Sequence, residues 1–333
     1  MESKSKERNS LAGISVIICC YNSADRIIKT LNHLSNQDIP EGMSWEVLII
    51  DNNSSDNTAK IAKSEWDKYG NVPEIRIINE SKQGLNYARE TGVENSKFSF
   101  VLFCDDDNWL NQDYIKHSFE ILNSDKEIGA VGGYSIPASN DDLPLWFSTY
   151  QDWYAVGAQN LTEGDITFKK YLWGAGLCLK KEIFEIAKTN KFQIFLSDRK
   201  GSSLSSGGDS ELSYWVLLCG YTLWYSEKLQ FKHFVPKERL SKDYVIRLKK
   251  ANQECAYWLG KYDLLYEIKQ LNRSKSENLI KGVKLLIKHK LSFLKNRNNL
   301  TTAQFLIGTT LRVSSKDDFD FITVYEKALN RNN

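Results

Sequence analysis

The sequence predicts an α/β fold: a Rossmann-like, mostly parallel sheet flanked by helices, with a helical C-terminal extension. Short apolar segments alternate with segments of helical periodicity as far as residue 104, which is typical of parallel sheets. From about residue 242 the pattern is helical to the end. A chain of 333 residues accommodates one large domain and an extension. We predict a flexible N-terminus over 1–12, a domain over 13–240 and the extension over 241–333.

The predicted elements follow one another in a regular order. Apolar, β-branched runs predict strands at 14–19, 47–50, 75–78 and 98–104, and helical periodicity predicts helices at 27–34, 58–66 and 86–94. Asn22 or Ser23 is expected to cap the first helix. Further along, strands are expected at 173–179 and 221–231, and a helix at 209–219. Ligands of such sheets bind beyond the carboxyl ends of the strands.

Composition and charge exclude several classes of protein. A net charge of +2 with 26% charged residues indicates an ordinary globular chain and no nucleic-acid partner. The six cysteines are scattered without a C-x-x-C pattern, which argues against a zinc site and favours free thiols in a reducing compartment. The polar N-terminus and the absence of an apolar run of about 18 residues predict neither a signal peptide nor a membrane span. We therefore expect a cytoplasmic location.

Three adjacent carboxylates, Asp105, Asp106 and Asp107, directly follow the fourth predicted strand. Adjacent carboxylates repel one another unless they are solvated or bound to a cation, and Mg²⁺ and Mn²⁺ favour oxygen ligands. A solvated loop, or a cap for a helix that begins near Asn111, is the structural alternative. The position at the end of a strand favours a cation site, where the metal could bridge two phosphates.

Asp209 follows two glycines at the start of a predicted helix. One interpretation is a helix cap favoured by the helix dipole. The other is a general base that takes a proton from a hydroxyl group. In both cases we expect the helix N-terminus to lower the pKa of Asp209 and keep it ionised, and the glycines to let a substrate approach closely.

Four segments in register resemble family 2 glycosyltransferases: SVIICCYN at 15–22, IIDNNSSDNT at 49–58, GLNYARETG at 84–92 and the acidic triplet, followed by GDSEL at 208–212. The resemblance runs from about residue 13 to 240. It implies a GT-A fold, a nucleotide-sugar donor and inversion at the anomeric carbon. It also divides the domain into a nucleotide-binding half (13–130) and an acceptor-binding half (131–240). The Gln-x-x-Arg-Trp motif and membrane spans of processive relatives are missing from the sequence.

The resemblance assigns roles to the residues at matching positions. It places at the donor Asn22, Asp51, Asn52, Lys82, Arg89, Asp105, Asp106, Gly174 and Ala175. Asp107 and Asp105 are the expected ligands of Mn²⁺ or Mg²⁺, and a neutral His233 would complete the shell. Asp209 matches the general base. Many relatives carry a second aspartate where Asn52 stands, which leaves the nucleotide base open, although a UDP-sugar is the donor we expect.

Some of these positions have equally ordinary interpretations. Arg89 could be a structural ion-pair residue, and His233 a packing residue. Trp146, Trp173 and Glu211 are expected to contact the acceptor, a glycan or a lipid-linked saccharide; aromatic faces stack on sugar rings, but tryptophans also fill cores. The basic amphipathic segment 279–294 either lies on the inner face of an anionic membrane or packs on the catalytic domain.

The implied activity is sugar transfer in the biosynthesis of a cell-surface polysaccharide or another glycan. A sugar nucleotidyltransferase is one alternative, but such enzymes open with a Gly-rich, basic loop after the first strand, unlike Cys20-Tyr21-Asn22-Ser23. A non-catalytic nucleotide-sugar-binding protein is the other. The presence of both Asp107 and Asp209 argues against it.

Overall fold

The structure, a computed structural model, describes residues 11–270 except 71, 191, 193, 197, 200–203 and 205, together with 277, 280, 281 and 284. The strands in this part of the chain are β1 (Leu11–Cys20), β2 (Trp45–Asp51), β3 (Ile75–Asn79), β4 (Phe98–Phe103), β5 (Asn108–Leu110), β6 (Ile128–Ala138), β7 (Gly164–Asp165), β8 (Cys178–Lys180) and β9 (Thr222–Phe234). The α-helices are α1 (Ile27–Ser35), α2 (Thr58–Trp66), α3 (Leu85–Asn95), α4 (Tyr114–Ser124), α5 (Phe147–Tyr150), α6 (Glu182–Thr189), α7 (Gly208–Leu218) and α8 (Lys242–Gln270).

The strands form one mixed sheet in the order β3-β2-β1-β4-β8-β6-β9-β5, and β7 pairs with β9. The four strands of the first half are mutually parallel. In the second half β8 runs antiparallel to both β4 and β6, and β9 is parallel to β6. The predicted strands and helices up to residue 104 are confirmed, and their carboxyl ends meet at one edge of the sheet.

Helices cover both faces of the parallel half, which explains why its strands are continuously apolar. Along β1, Val16 and Ile18 face a core shared with Leu31 of α1. Ile17, which points to the opposite face, packs with Ala88 of α3 and with α7. Alternate side chains of one strand therefore supply two separate cores.

Two local expectations are wrong. Neither Asn22 nor Ser23 caps α1: the helix begins at Ile27 after Arg26, without a side-chain cap, and the Ser23 hydroxyl instead donates to the Asp106 carboxylate. The predicted strand at 173–179 is reduced to Cys178–Lys180. Gly176 has a φ of +71°, a left-handed conformation that interrupts an extended strand.

The C-terminal extension begins with α8, which packs on α7. The basic segment 279–294 lies almost entirely outside the described residues, and the division of the chain at 12, 130 and 240 stays a prediction. None of the helices in the described part of the chain is both long and apolar enough to cross a membrane.

Candidate active site

A cavity of about 750 Å³ opens where β1 and β4 end, beside α3, the start of α7 and one face of α8. Ten of the predicted site residues line it: Asn52, Arg89, Asp105, Asp106, Asp107, Trp173, Gly174, Ala175, Asp209 and His233. The other five lie outside its lining: Asn22, Asp51, Lys82, Trp146 and Glu211. The fold therefore brings both acidic motifs, which are a hundred residues apart, to one cavity.

Asp106 is held by the segment that leads into α1. Its carboxylate accepts a hydrogen bond from Ser23 and lies 3.0 Å from the Arg26 guanidinium. The backbone carbonyl of Asp106 accepts a bond from the Thr30 hydroxyl at 2.8 Å. Burial and the adjacent Asp107 raise the pKa of Asp106 in spite of Arg26. Asp106 thus joins α1 to the end of β4, in addition to lining the cavity.

Asp107 is paired with cationic side chains from β9 and from the segment that follows β9. The pairing of β5 with β9 places Asn108 opposite His233. One Asp107 oxygen lies 3.5 Å from His233 Nε2, and the other accepts from Arg239 at 3.3 Å. Burial disfavours the Asp107 carboxylate, but His233 and Arg239 outweigh it and hold its pKa below the ordinary range. Asp107 is therefore ionised.

Asp105, like Asp106 and unlike Asp107, has a raised pKa. Burial and the negative charge of Asp107 raise the pKa of Asp105 to about 6, because removing a carboxylate from water beside a like charge favours its neutral form. A cation at this point would reverse that balance. His233 is affected in the opposite sense: burial disfavours its charged form, but Asp107 outweighs burial and raises the pKa of His233. Metal binding by His233 would require the loss of that proton.

A divalent cation fits the donor set of this corner. In the described part of the chain no three His, Cys, Asp or Glu side chains are arranged around a common point. Mg²⁺ commonly takes only one or two carboxylates and completes its shell with water and substrate phosphates, and Asp105 and Asp107 supply two carboxylates. The buried Nδ1 of His233 lacks a hydrogen-bond partner among the described residues, so this imidazole has a free nitrogen besides the one facing Asp107.

Asp209 is the first acidic residue of α7. It follows Gly207, whose φ of +102° favours glycine. Its carboxylate accepts backbone N–H groups of Ser210 at 2.7 Å and Gly174 at 3.1 Å. The expectation of a lowered pKa is wrong: burial and the nearby Asp198 raise the pKa of Asp209 and outweigh Arg89 and both hydrogen bonds.

Arg89 connects the cavity floor to the loop before α7. Its guanidinium donates to Asp198 at 2.8 Å, and both side chains are buried, at 7% and 9% exposure. A Cβ on Gly174 would lie 2.8 Å from Arg89 Nη2 and 3.1 Å from Asp209 Cβ. Glycine at this position therefore lets Arg89 and Asp209 approach each other. Arg89 therefore forms a structural ion pair and also lines the cavity; its contact with a donor phosphate stays a prediction.

Asn52 has a structural role that an aspartate could not fill. Its Nδ2 donates to the carbonyls of Glu80 and Lys82 at 3.2 and 2.7 Å, while its Oδ1 accepts the Gly84 N–H at 2.7 Å. A carboxylate has no donor for the two carbonyls. The amide thus fixes the turn that leads into α3 at the edge of the cavity.

The three expected donor residues outside the lining are placed close to the ends of β1 and β2 or the start of α3. Asn22 has a φ of +50°, and its side-chain oxygen accepts the Ser55 N–H at 2.8 Å. Asp51 accepts the Ser54 N–H at 3.1 Å. The Lys82 ammonium lies 5.6 Å above the Tyr87 ring. Their contact with a nucleotide stays a prediction.

The expected acceptor contact of Glu211 is wrong. Glu211 is 2% exposed, and its carboxylate accepts bonds from the Phe195 and Leu196 amides and from Tyr262. Its partners lie in the loop before α7 and in α8. Glu211 therefore holds this loop and α8 against α7 and does not face the cavity. Trp146 packs among aromatic rings of α5 and also lies outside the cavity.

Several residues that line the cavity are not predicted from the sequence. They include Arg26, Asp198, Arg199, Arg239 and Tyr244. Each of these stands outside the motifs, in a loop or in α8, and meets the site only through tertiary contacts. Arg199, for example, donates to the Tyr244 hydroxyl at 3.2 Å. A basic residue near a motif is too common a signal to have identified the three arginines, and no motif points to Asp198 or Tyr244.

Residues 15–174 match the family described as Glycosyl transferase family 2. Over this segment the chain belongs to glycosyl transferase family 2. Glycosyltransferase AglE of Haloferax volcanii is 36% identical over 125 residues, which cover 38% of this chain and 40% of AglE. The family predicted from the four motifs is thus confirmed.

A second relative is a Methanococcus voltae enzyme, dolichyl N-acetyl-alpha-D-glucosaminyl phosphate 3-beta-D-2,3-diacetamido-2,3-dideoxy-beta-D-glucuronosyltransferase. It is 32% identical over 124 residues, covering 36% of this chain and 38% of that enzyme. The chain thus matches about two fifths of the length of each relative. The crystal structure of S. aureus TarS 1-349 in complex with UDP-GlcNAc superposes with a TM-score of 0.53 at 16% identity, covering 94% of this chain and 90% of TarS 1-349. This likeness confirms the GT-A fold.

Proposed function

We propose that the chain is an inverting glycosyltransferase that moves a sugar from a nucleotide diphosphate to an acceptor hydroxyl. The observation that carries this proposal is the shared cavity, which has the acidic triplet and its cations on its lining together with a separate carboxylate, Asp209, at the start of α7. The cationic side chains and a metal at the triplet suit the diphosphate of a donor, and the separate carboxylate suits the hydroxyl group of an acceptor.

The proposed reaction is a single in-line displacement. Asp209 takes the proton of the acceptor hydroxyl as that oxygen forms a bond to the anomeric carbon. The bond from this carbon to the diphosphate oxygen breaks, and its electron pair leaves with the diphosphate. A base works best with a pKa close to the operating pH, and burial and Asp198 raise the pKa of Asp209 in that direction. The two hydrogen bonds from backbone amides fix the orientation of the carboxylate.

We propose Asp107 and Asp105 as the ligands of Mn²⁺ or Mg²⁺, with His233 as a further ligand once it is neutral. When bound, the cation supplies positive charge to the leaving diphosphate. Arg26, Arg199 and Arg239 line the same cavity and can bind phosphate oxygens through their guanidinium groups.

A UDP-sugar is the proposed donor, because S. aureus TarS 1-349, which shares the fold, is in complex with UDP-GlcNAc. The proposed acceptor is a glycan or a lipid-linked saccharide of a cell-surface polysaccharide pathway; the Methanococcus voltae relative is named for a dolichyl phosphate-linked sugar. We propose a cytoplasmic location, where the basic segment 279–294 either packs on the catalytic domain or contacts the inner face of the membrane.

A ligand screen followed by product analysis tests this function. Thermal unfolding is measured with UDP-sugars and other nucleotide sugars, each with and without Mn²⁺ or Mg²⁺. A donor at a hundredfold excess over its Kd adds about 2.7 kcal/mol of stability, which raises Tm by on the order of 5 °C. NMR of the product must then show an inverted anomeric carbon.

Three outcomes contradict the proposal in different ways. A product with retained configuration excludes single displacement. Donor binding without hydrolysis or transfer to any acceptor favours a nucleotide-sugar-binding protein. Formation of a sugar nucleotide from a nucleoside triphosphate and a sugar 1-phosphate identifies a nucleotidyltransferase.

A further inference from the structure

Helix α8 contributes a continuous wall to the active-site cavity. The residues of α8 in the lining are Tyr244, Leu248, Asn252, Cys255 and Leu259. They are spaced four, four, three and four residues apart, which places them on one face of a helix. Ten of the 29 residues of α8 are charged, yet none of the ten lines the cavity. The face toward the cavity is therefore uncharged and mostly apolar.

This wall lies against the segment that carries Asp209. The Ser206 hydroxyl donates to Asn252 Oδ1 at 2.7 Å. A Cβ on Gly207 would lie 3.0 Å from the Cβ of Cys255, so the backbone that enters α7 touches α8 directly. Burial and the nearby charge of Asp209 raise the pKa of the Cys255 thiol, so a hydroxyl group held at the Asp209 carboxylate has the α8 wall beside it.

The remaining lining of this part of the cavity is aromatic and aliphatic. Trp153 and Leu204 pack against the same cluster as Tyr244 and Leu248. Tyr171 and Trp173 also line the cavity, with Asp152 as an ionisable residue. At the acidic triplet, by contrast, Arg26 pairs with Asp106 and Arg239 with Asp107. Arg199 donates to Tyr244, the first residue of the wall. The cavity thus combines a charged region suited to a diphosphate with an apolar region suited to a group that water solvates poorly.

We infer that the α8 wall is a subsite for an apolar substituent on the acceptor sugar. This inference rests on the proposed function and adds the chemical class of the acceptor: a glycoside whose sugar hydroxyl reaches Asp209 while its apolar aglycone packs on the wall at the half-buried Leu259. Leu248 and Cys255, which are 3% and 7% exposed, support the wall from within the fold. An alkyl chain and an aromatic ring share this chemistry. A free polar oligosaccharide would leave the wall exposed to water.

Equilibrium binding tests the subsite without requiring turnover. Isothermal titration of the full chain compares methyl, n-hexyl and phenyl glycosides of glucose, galactose and N-acetylglucosamine, with UDP and Mg²⁺ present. We expect the hexyl or the phenyl glycoside of a given sugar to bind at least tenfold more tightly than its methyl counterpart. The preferred member of the pair distinguishes an alkyl-chain acceptor from one with an aromatic aglycone.

Two variants and a control connect this preference to α8. Leu259→Asn should weaken hexyl or phenyl glycoside binding about tenfold, the effect of losing roughly 1.4 kcal/mol of apolar contact, and leave methyl glycoside binding unchanged. Asn252→Leu, which adds apolar surface to the wall, should strengthen it. Ile246→Asn is the control, since Ile246 is on α8, 64% exposed and outside the cavity lining.

Equal affinities for methyl and apolar glycosides, or a preference that survives Leu259→Asn, would overturn the inference. Neither result bears on sugar transfer itself. Conversely, a chain that binds apolar glycosides in this way but never transfers sugar refutes the proposed function and leaves the subsite intact.

Discussion

Replacing Asp209 by Asn separates the chemistry of the site from its architecture. The amide cannot take a proton, and loss of a well-placed general base commonly lowers the rate about 10²–10⁴-fold, equivalent to about 3–5 kcal/mol of activation free energy. We therefore expect kcat to fall within this range. The Kd of the nucleotide sugar should stay within about twofold, because the contacts of Asp209 are to backbone amides and not to the acidic triplet.

The cost in stability follows from the same two hydrogen bonds. The carboxylate accepts bonds from the amides of Ser210 and Gly174, and Asn can accept only one while its NH₂ group faces the other donor. An unsatisfied buried donor costs about 1–3 kcal/mol. Removing a carboxylate that burial and Asp198 disfavour offsets part of this cost. We expect the free energy of unfolding to fall by about 1 kcal/mol, too little to unfold the site.

The assay measures initial rates at saturating donor and acceptor, with donor affinity from thermal shift and stability from urea unfolding. Asp165→Asn is the matched control: Asp165 is exposed on β7, its carboxylate accepts the Thr167 N–H at 2.7 Å, and it lies outside the cavity lining. Turnover by Asp209→Asn within tenfold of the parent refutes the assignment of the base. A parallel loss of donor binding would instead make Asp209 a binding residue.

Three further predictions concern electrostatics and packing. Asp198→Asn removes a charge that raises the pKa of Asp209, so the acid limb of the pH profile of kcat/KM should move to lower pH. An unchanged acid limb would contradict the assignment of this limb to Asp209. Burial raises the pKa of Glu211 to about 7, so the folded state binds its proton more tightly than the unfolded state. Relative to Glu211→Gln, the parent should lose about 3 kcal/mol of stability between pH 4.5 and 7, as measured by urea unfolding. A difference in unfolding free energy that does not change with pH would exclude a raised pKa of Glu211. In Gly92→Ala the new Cβ would overlap Ile17 Cγ2 and lie 3.2 Å from Ile17 Cδ1. This overpacking should cost about 1–3 kcal/mol, and an unchanged Tm would contradict it.

The two acidic residues at the start of α7 show where sequence reasoning stopped short. The motif placed both Asp209 and Glu211 in the site, and the structure keeps only Asp209 in the cavity. Residues two apart on an α-helix point about 200° away from each other, so both could not face one cavity. Helical geometry alone could have excluded one of them. Only packing decided that Glu211 faces the loop before α7 and Tyr262.

The three carboxylates of the acidic triplet have different charged partners, which the sequence does not reveal. The sequence identified three carboxylates at a strand end, but not that they differ. Arg26 binds Asp106, whereas His233 and Arg239 flank Asp107. These cations come from positions about 80 residues before and 130 residues after the triplet, and no local pattern connects them.

The sequence by itself determined the order of strands and helices through β4, the family, and the two acidic motifs, because periodicity and motif spacing are local properties of the chain. Tertiary structure decided which carboxylates face the cavity, the raised pKa of Asp209 and the contribution of α8. Burial and charge pairing depend on distances in space, and folding brings together groups whose separation along the chain gives no sign of it.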